Sequence, residues 1–146
     1  MIDDLYSARI LSLAANIPRI GRLPAPQASV EKASKVCGSR VVVDLNLQDG
    51  RVSDFAQEVQ ACALGQTSAA VLGAHAMGAT VEELQTARDR LRAYLKGEGP
   101  APDGRFSELS VLGPVREFPA RHASVLLAFE CAAEAAVLAR GRAAPG

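Results

Sequence analysis

The sequence predicts an α+β domain in which a small antiparallel sheet carries helices packed on one face. Two observations favour this class: an alternating apolar and polar run with an Asp-Gly turn near the start, and a succession of helical patterns after it. The chain has 146 residues, enough for one domain to bury an ordinary core without disulfide or metal crosslinks. We therefore expect a single domain over residues 1–146.

A β-hairpin is the clearest local prediction. Residues Val41 to Leu47 alternate between two faces, as a half-buried strand does. The Asp49-Gly50 pair favours a hairpin turn, and Val52 to Val59 is the expected return strand. A weaker pattern predicts a first strand from about Ser29 to Val36.

The remaining segments are predicted to be helical. An opening helix is expected over Asp3 to Asn16, because Pro18 follows. A helix rich in small residues begins after Cys62 and is expected to end at Gly78. The capping-box pair of Thr80 and Glu83 predicts the start of the next helix.

Two further helices are expected towards the C-terminus. The stretch "RFSELSVLGPV" predicts a short helix that is cut by Gly113 and Pro114. The stretch "SVLLAFECAAEAAVLAR" predicts a final amphipathic helix that closes at Gly141.

Composition excludes several classes of protein. Sixteen basic and sixteen acidic residues leave no positive surplus to attract nucleic acid. The N-terminus lacks a basic region followed by an apolar run, and 18 apolar residues nowhere run together, so we expect neither a signal peptide nor a membrane span. Three cysteines do not resemble a secreted disulfide framework, which predicts a cytoplasmic protein.

The predicted hairpin brings Cys37 and Cys62 to the same open end of the sheet. Residues whose numbers sum to 99 face each other across a two-residue Asp49-Gly50 turn, and these two cysteines do so. A bulged three-residue loop would shift the pairing by one and place Phe55 on the face of Leu45. In either register the thiols lie within one pairing step, about 5 to 8 Å apart between Cβ atoms.

Three interpretations of the two thiols stay open on this evidence. Cys62 begins a helix, where free amides favour a thiolate, and neighbouring thiolates often start a zinc or iron–sulfur site. The alternatives are two unmodified thiols that cap the sheet, or a disulfide.

Three stretches together resemble the NifU/IscU-type iron–sulfur cluster assembly scaffolds, and within them the SufU-like branch. These stretches are "LYSARILSLAANIPRIGRL", "KVCGSRVVVDLNLQDGRVSDFAQEVQACALGQTSAA" and "LGPVREFPARHASVLLAFECAAEA". Their order and spacing match the family over nearly the whole chain. The resemblance implies a SufE/NifU-like α+β fold with a three-stranded sheet and a single NifU N-terminal-like domain.

The resemblance also implies a function and its partners. Such scaffolds accept sulfur from a cysteine desulfurase, assemble or pass on a cluster to acceptor proteins, and in the SufU-like branch bind zinc. They are not stand-alone catalysts. The cargo implied is therefore sulfur, an iron–sulfur cluster or zinc, and the partners implied are a desulfurase and cluster-accepting proteins.

Two ligand positions of the family hold serine in this chain. The family's Cys-Gly-Asp becomes Cys-Gly-Ser, ending at Ser39, and Ser124 stands where the third cysteine is expected. Neutral hydroxyls are poor ligands for zinc or iron, which prefer thiolate, imidazole or carboxylate. The resemblance therefore implies a pocket lined by Cys37, Cys62, Ser39 and Ser124. A metal site would use Cys37, Cys62 and His122.

Two functions are compatible with these residues. The first is a scaffold or carrier that holds a metal, sulfur or a cluster through the paired cysteines. The alternative is a non-catalytic module that has kept the scaffold surface, docks a desulfurase or another assembly protein, and regulates it.

Other reactive residues have simpler explanations. Cys131 lies among apolar residues of the last helix and is expected in the core. His75 is expected to be a packed or surface histidine. Arg40 and Arg121 flank the predicted site, where they would either stabilise an anionic sulfur or remain solvated.

Overall fold

The computed structural model describes residues 6–35 and 38–142. Its helices and strands follow in the order α1 (Ala8–Ala15), β1 (Ala28–Ser34), β2 (Ser39–Gln48), β3 (Arg51–Gln60), α2 (Ala63–His75), α3 (Val81–Leu95) and α4 (His122–Arg142). Two 3-10 segments, Gly104–Glu117 and Pro119–Arg121, connect α3 to α4. This order confirms the predicted α+β class.

The sheet is antiparallel with the strand order β1-β2-β3. Asp49 and Gly50 form the β2–β3 turn with φ of 55° and 76°. Positive φ at both central residues is what a type I′ hairpin turn requires. The predicted hairpin is therefore confirmed.

The hairpin changes register inside the strands. Leu47 pairs with Val52, but Asn46 pairs with Asp54, so Ser53 is an extra residue of β3 and forms a β-bulge. The sequence left two registers open, and the structure has the one that is shifted by one residue, with the extra residue inside β3 rather than in a three-residue loop. The bulge turns Phe55 onto the buried face that carries Leu45, and burying both side chains selects this register.

The helices pack on one face of the sheet, as predicted. Helix α4 lies across β1 and β2, α2 packs against α4 and β3, α1 packs on α2, and α3 packs on α4. The sheet contributes Val41, Val43 and Leu45 to this core, and α4 contributes Val125 and Phe129. The many buried alanines of α4 have small side chains, so the sheet and the neighbouring helices can pack closely against it.

Several predicted boundaries differ from those observed. Helix α1 begins at Ala8, with Ser7 as its N-cap, and the predicted start at Asp3 lies outside the described residues. Strand β1 ends at Ser34, two residues before the expected end at Val36, which is also outside them. Helix α2 ends at His75 rather than at Gly78.

The capping box at α3 is confirmed. The Thr80 hydroxyl accepts a hydrogen bond from the Glu83 N–H, and the Glu83 carboxylate accepts one from the Thr80 N–H, both at 3.0 Å. Each bond satisfies an amide that the first helical turn would leave unpaired.

The first 3-10 segment corrects the prediction of a break. It runs from Gly104 to Glu117 with a kink at Phe106, where the backbone angles are not helical, and it continues through Gly113 and Pro114. A Cβ at Gly113 would lie 2.7 Å from the Tyr94 hydroxyl oxygen. The glycine therefore permits close packing against Tyr94 and does not end the segment.

The predicted amphipathic character of α4 was wrong. From Ser124 to Ala133 every residue except Glu130 is buried. The helix lies between the sheet and two other helices, so most of its surface must be apolar. With the preceding turn (Pro119–Arg142) it is long and apolar enough to cross a membrane, yet 67% of the apolar window is buried inside the fold, as in a core helix.

A buried carboxylate holds the loop before β1 against the other face of the sheet. The fully buried Asp44 side chain accepts hydrogen bonds from the Arg22 guanidinium at 2.7 and 3.1 Å, the Ser29 hydroxyl at 2.6 Å and the Leu23 N–H at 3.0 Å. Burial raises the pKa of this carboxyl, but the hydrogen bonds and the Arg22 charge outweigh it and lower the pKa below its usual value. We call these residues the Asp44 cluster.

Candidate functional site

Two buried serines meet where the start of β2 touches the start of α4. Ser39 is the first residue of β2 and Ser124 the third residue of α4, and each is 1% exposed. Their hydroxyl oxygens lie 2.9 Å apart, so one donates a hydrogen bond to the other. The two positions that the resemblance assigned to ligands are therefore brought together.

Cys62 completes this contact from the N-terminus of α2. It is the N-cap residue, with extended backbone angles, and its carbonyl accepts a hydrogen bond from the Gln66 N–H. Its Sγ lies 3.5 Å from the Ser124 Oγ. The side chain is partly buried and the thiol is free.

The surroundings of Cys62 favour its thiolate. Burial raises the pKa of the thiol, but hydrogen bonds from the Ser124 hydroxyl and from the N–H groups of Gly65 and Leu64, with the charge of Arg121, lower it below the usual value. These amides belong to the first turn of α2, where backbone donors have no helical partner.

A glycine allows the two helices to approach at the site. A Cβ at Gly65 would lie 2.7 Å from the Ser124 Oγ and 2.9 Å from the Ala61 Cβ. Real Cβ atoms essentially never show such distances, so only glycine lets Ser124 reach the first turn of α2.

Ser34 is a site residue that the sequence analysis missed. It pairs directly with Ser39 across β1 and β2, so both side chains lie on the face that carries α4. Ser34 is 8% exposed, and its hydroxyl has no hydrogen-bond partner among residues 6–35 and 38–142. The strand pairing could have identified it, because Ser34 is the last residue of β1 and pairs with Ser39, the first residue of β2. We call Ser34, Ser39, Cys62 and Ser124 the serine cluster.

The other predicted site residues lie as follows. His122 begins α4, and its Nε2–H donates a hydrogen bond to the Val115 carbonyl at 2.9 Å, which leaves only Nδ1 for a ligand role. Arg121 acts on the Cys62 thiol through its charge. Arg40 instead pairs with Glu31 on the neighbouring strand.

The described residues hold part of the predicted metal site. Cys37, a predicted ligand, lies outside it. Within residues 6–35 and 38–142, no three His, Cys, Asp or Glu side chains are grouped so that they could hold a metal ion. The donors that do meet there are one thiol and two hydroxyls, and hydroxyls are poor ligands for zinc or iron.

The simpler interpretations of Cys131 and His75 are confirmed. Cys131 is fully buried, its Sγ donates to the Val41 carbonyl at 3.4 Å, and burial raises the pKa of its thiol to about 12. The partly exposed His75 ring packs edge-on against Phe106, and its Nε2 lies 3.1 Å from a Glu108 oxygen. Each of the two is accounted for by its packing.

Comparison with known proteins gives one curated relative over most of the chain. The iron–sulfur cluster assembly scaffold protein IscU of Thermotoga maritima is 26% identical over 131 residues, which cover 90% of this chain and 92% of that protein. No family model matches the chain.

Solved structures share the fold. A nitrogen-fixing NifU-like protein (N-terminal) from Brucella abortus has a TM-score of 0.93 and 48% identity, covering 97% of this chain and 99% of that one. A putative iron–sulfur cluster assembly scaffold protein for the SUF system from Fervidobacterium islandicum has a TM-score of 0.83 and 19% identity, covering 92% and 98%. The second likeness concerns the fold alone.

Proposed function

Because the chain belongs to the NifU/IscU-type family of iron–sulfur cluster assembly scaffolds, we propose that it is a scaffold or carrier that holds sulfur, iron or a cluster at Cys37 and Cys62. The relatives are named as scaffolds and not as catalysts, in agreement with the expectation that the chain is no stand-alone enzyme. The partners would be a cysteine desulfurase, which supplies sulfur, and proteins that accept a cluster from this scaffold.

The setting of Cys62 is the observation that carries this proposal. Its sulfur is partly accessible, lies at a helix N-terminus and receives hydrogen bonds that favour the nucleophilic thiolate. Cys37, two residues before Ser39 in the sequence, and His122 Nδ1 are the remaining candidate ligands. Free thiols fit a reducing compartment, for which we propose the cytoplasm.

Anaerobic reconstitution tests the scaffold function. Protein purified without oxygen is mixed with ferrous iron, cysteine and a cysteine desulfurase, then examined by visible absorbance, metal analysis and intact-mass spectrometry. We expect either cluster absorbance or persulfide on Cys37 or Cys62. Cys62→Ala should lose most of this signal, and Cys131→Ala, the matched control in the core, should keep it. Absence of a cluster, bound metal and persulfide in the unsubstituted protein would reject the proposal.

A docking module is the second candidate. Its specific support is that the two serines at the family's ligand positions bond to each other, which satisfies both hydroxyls without any cargo. Such a module would bind a desulfurase even when Cys37→Ser and Cys62→Ser are combined. Pull-down with the desulfurase measures this, and loss of binding in the double variant would count against the candidate.

A further inference from the structure

A groove of about 290 Å³ lies between the N-terminal half of α3 and residues 102–106. Its floor consists of the buried apolar residues Ala87, Pro102 and Phe106. The Phe106 ring packs edge-on against Phe129 of the core, with 5.2 Å between the ring centroids, which fixes the floor. Binding sites for small molecules combine such an apolar surface with a few polar groups, and they start at about this volume.

Two ion pairs join the walls of the groove and set its length. Arg105 binds Glu83 at 3.0 Å at one end, and Arg90 binds Asp103 at the other. Glu83 and Arg90 are two helical turns apart on α3, a distance of about 10 Å along the helix axis. An extended chain covers this length with about three residues, so the groove suits a single small molecule rather than a long peptide.

The Glu83 end of the groove is rigid. The Arg105 guanidinium also donates hydrogen bonds to the carbonyls of Met77 at 3.1 Å and Gly78 at 3.4 Å. Glu83 is held in addition by the capping box with Thr80. These bonds use the charges at this end, and a wall that is already ordered loses little conformational entropy when a ligand binds.

The Arg90–Asp103 end keeps capacity for further hydrogen bonds. Both side chains are more than half exposed, and they contact each other through one guanidinium nitrogen and one carboxylate oxygen. Within the described residues, the Asp103 side chain makes no capping bond to the 3-10 segment that follows it. A guanidinium has five N–H donors and a carboxylate has two acceptor oxygens, so one contact leaves most of them for other partners. Because an exposed ion pair of this kind adds little to stability, a ligand can insert between its charges with little loss.

We propose that this groove binds a free α-amino acid with an apolar side chain. The α-carboxylate accepts hydrogen bonds from the Arg90 guanidinium, the α-ammonium donates to the Asp103 carboxylate, and the side chain lies over the apolar floor towards Phe106. An α-amino acid carries both charges on one carbon atom, so it matches a cation and an anion that stand side by side, whereas Asp103 repels a simple anion and Arg90 a simple cation. The site shares no residue with the serine cluster, and the inference goes beyond the proposed scaffold function.

A second groove, of about 390 Å³ between β1, α3 and α4, fits this ligand less well. Its described lining consists of Lys32, Arg88, Arg92, Glu130, Glu134 and Val137. Val137 is the single apolar residue among them, so an apolar side chain would find no extended surface to cover there. We therefore assign the ligand to the groove with the Phe106 floor.

Titration of the isotope-labelled full chain with L-phenylalanine, followed by NMR, tests this inference. We expect saturable shifts of amide signals in α3 and in residues 102–106, with a dissociation constant of about 1 mM or tighter. Phenethylamine lacks the carboxylate and hydrocinnamate lacks the ammonium, so each should bind about tenfold more weakly. The inference is overturned if L-phenylalanine, L-leucine and L-methionine all fail to bind, or if either analogue binds as tightly as L-phenylalanine.

Two variants test which side chain binds which charge of the ligand. Arg90→Gln and Asp103→Asn should each weaken the binding of L-phenylalanine about tenfold, because each removes a hydrogen bond between charged groups. Arg90→Gln should also abolish the preference for L-phenylalanine over phenethylamine, and Asp103→Asn the preference over hydrocinnamate, which a general loss of structure would not do.

The matched control is Arg88→Gln, which removes an arginine of α3 outside the groove and should leave binding unchanged. If both groove variants, shown to be folded by circular dichroism, bind like the parent protein, or if Arg88→Gln weakens binding equally, the inference is overturned. These titrations contain no iron, sulfide or desulfurase, so their outcome is separate from that of the scaffold test.

Discussion

Two buried polar clusters lie on opposite faces of β2, and they differ in how completely they are paired. The Asp44 cluster surrounds its carboxylate with hydrogen bonds from a guanidinium, a hydroxyl and a backbone amide. The serine cluster is neutral apart from its thiol, contains a hydroxyl that no described residue pairs with, and leaves its sulfur partly exposed. Residues 39 and 44 point to opposite faces because side chains alternate along a strand.

The difference follows from the cost of burial. A buried charge destabilises a fold by several kcal/mol unless it is fully paired, about 3 kcal/mol or more when one partner is removed. An unpaired neutral hydroxyl costs only about 1–3 kcal/mol, so a fold can retain one. The complete cluster is therefore suited to fixing a loop, whereas the incomplete cluster can be retained without full pairing.

The largest expected effect is a difference in alkylation between two cysteines. At pH 7.5, iodoacetamide should modify Cys62 about a thousandfold faster than Cys131, because only thiolates react and one pKa unit changes their fraction tenfold. The pKa of Cys62 is lowered, whereas that of Cys131 is raised to about 12 by burial. Peptide mass spectrometry measures both rates, and similar rates in the folded protein would show that the serine cluster is not open.

Neutralising the complete cluster should give the next largest effect. Asp44→Asn is expected to lower the free energy of unfolding by about 2 kcal/mol, because hydrogen bonds to a charged group are weakened. Denaturant unfolding measures this, with the exposed Asp54→Asn as the matched control at near-zero cost. An equal loss in both variants would contradict the structural role of the Asp44 cluster.

The same variant should change how stability depends on pH. The folded pKa of Asp44 lies below its usual value of 3.8, so below about pH 5 the unfolded chain binds more protons than the folded one. The Asp44 carboxylate therefore contributes fully to the free energy of unfolding above its pKa in the unfolded chain. This contribution is lost as the pH falls through its pKa in the folded protein. Asp44→Asn should therefore flatten the fall in stability on acidification. An unchanged slope would contradict the lowered pKa.

The smallest effect should come from the unpaired hydroxyl. Ser34→Ala removes a buried hydroxyl that has no partner within the described part of the chain, so the free energy of unfolding should stay constant or rise by up to about 1 kcal/mol. Ser29→Ala, the matched change on the other face of β1, removes a donor to Asp44 and should cost about 1 kcal/mol. Thermal unfolding ranks the stability of the two variants. A greater loss of stability in Ser34→Ala would mean that the Ser34 hydroxyl makes a hydrogen bond in the folded protein.

Local sequence predicted most elements because their signals act within a few residues. The Asp49-Gly50 turn and the Thr80–Glu83 capping box both form as expected, since each is set by backbone angles or hydrogen bonds inside one turn. Gly113 misled the prediction because its small size serves a contact with Tyr94, 19 residues away in sequence. Chain neighbours carry no information about such a contact.

The candidate site was only partly predictable for the same reason. Cys62 and the two serines were identified, but Ser34 was missed, and the bond from His122 to the Val115 carbonyl was not foreseen. The predicted role of Cys37 remains a prediction, since this residue lies outside the described chain. Which groups accept and which donate depends on neighbours that only packing supplies.

By itself the sequence determined the hairpin, the helix that starts after Cys62 and the α+β class, because backbone preferences and apolar periodicity act locally. Tertiary structure alone decided that Ser39 meets Ser124 across 85 positions and that Asp44 meets Arg22. It also decided that the strand pairing slips at Ser53. These choices depend on burying distant surfaces together, and the free energy of that burial belongs to the whole fold rather than to any segment.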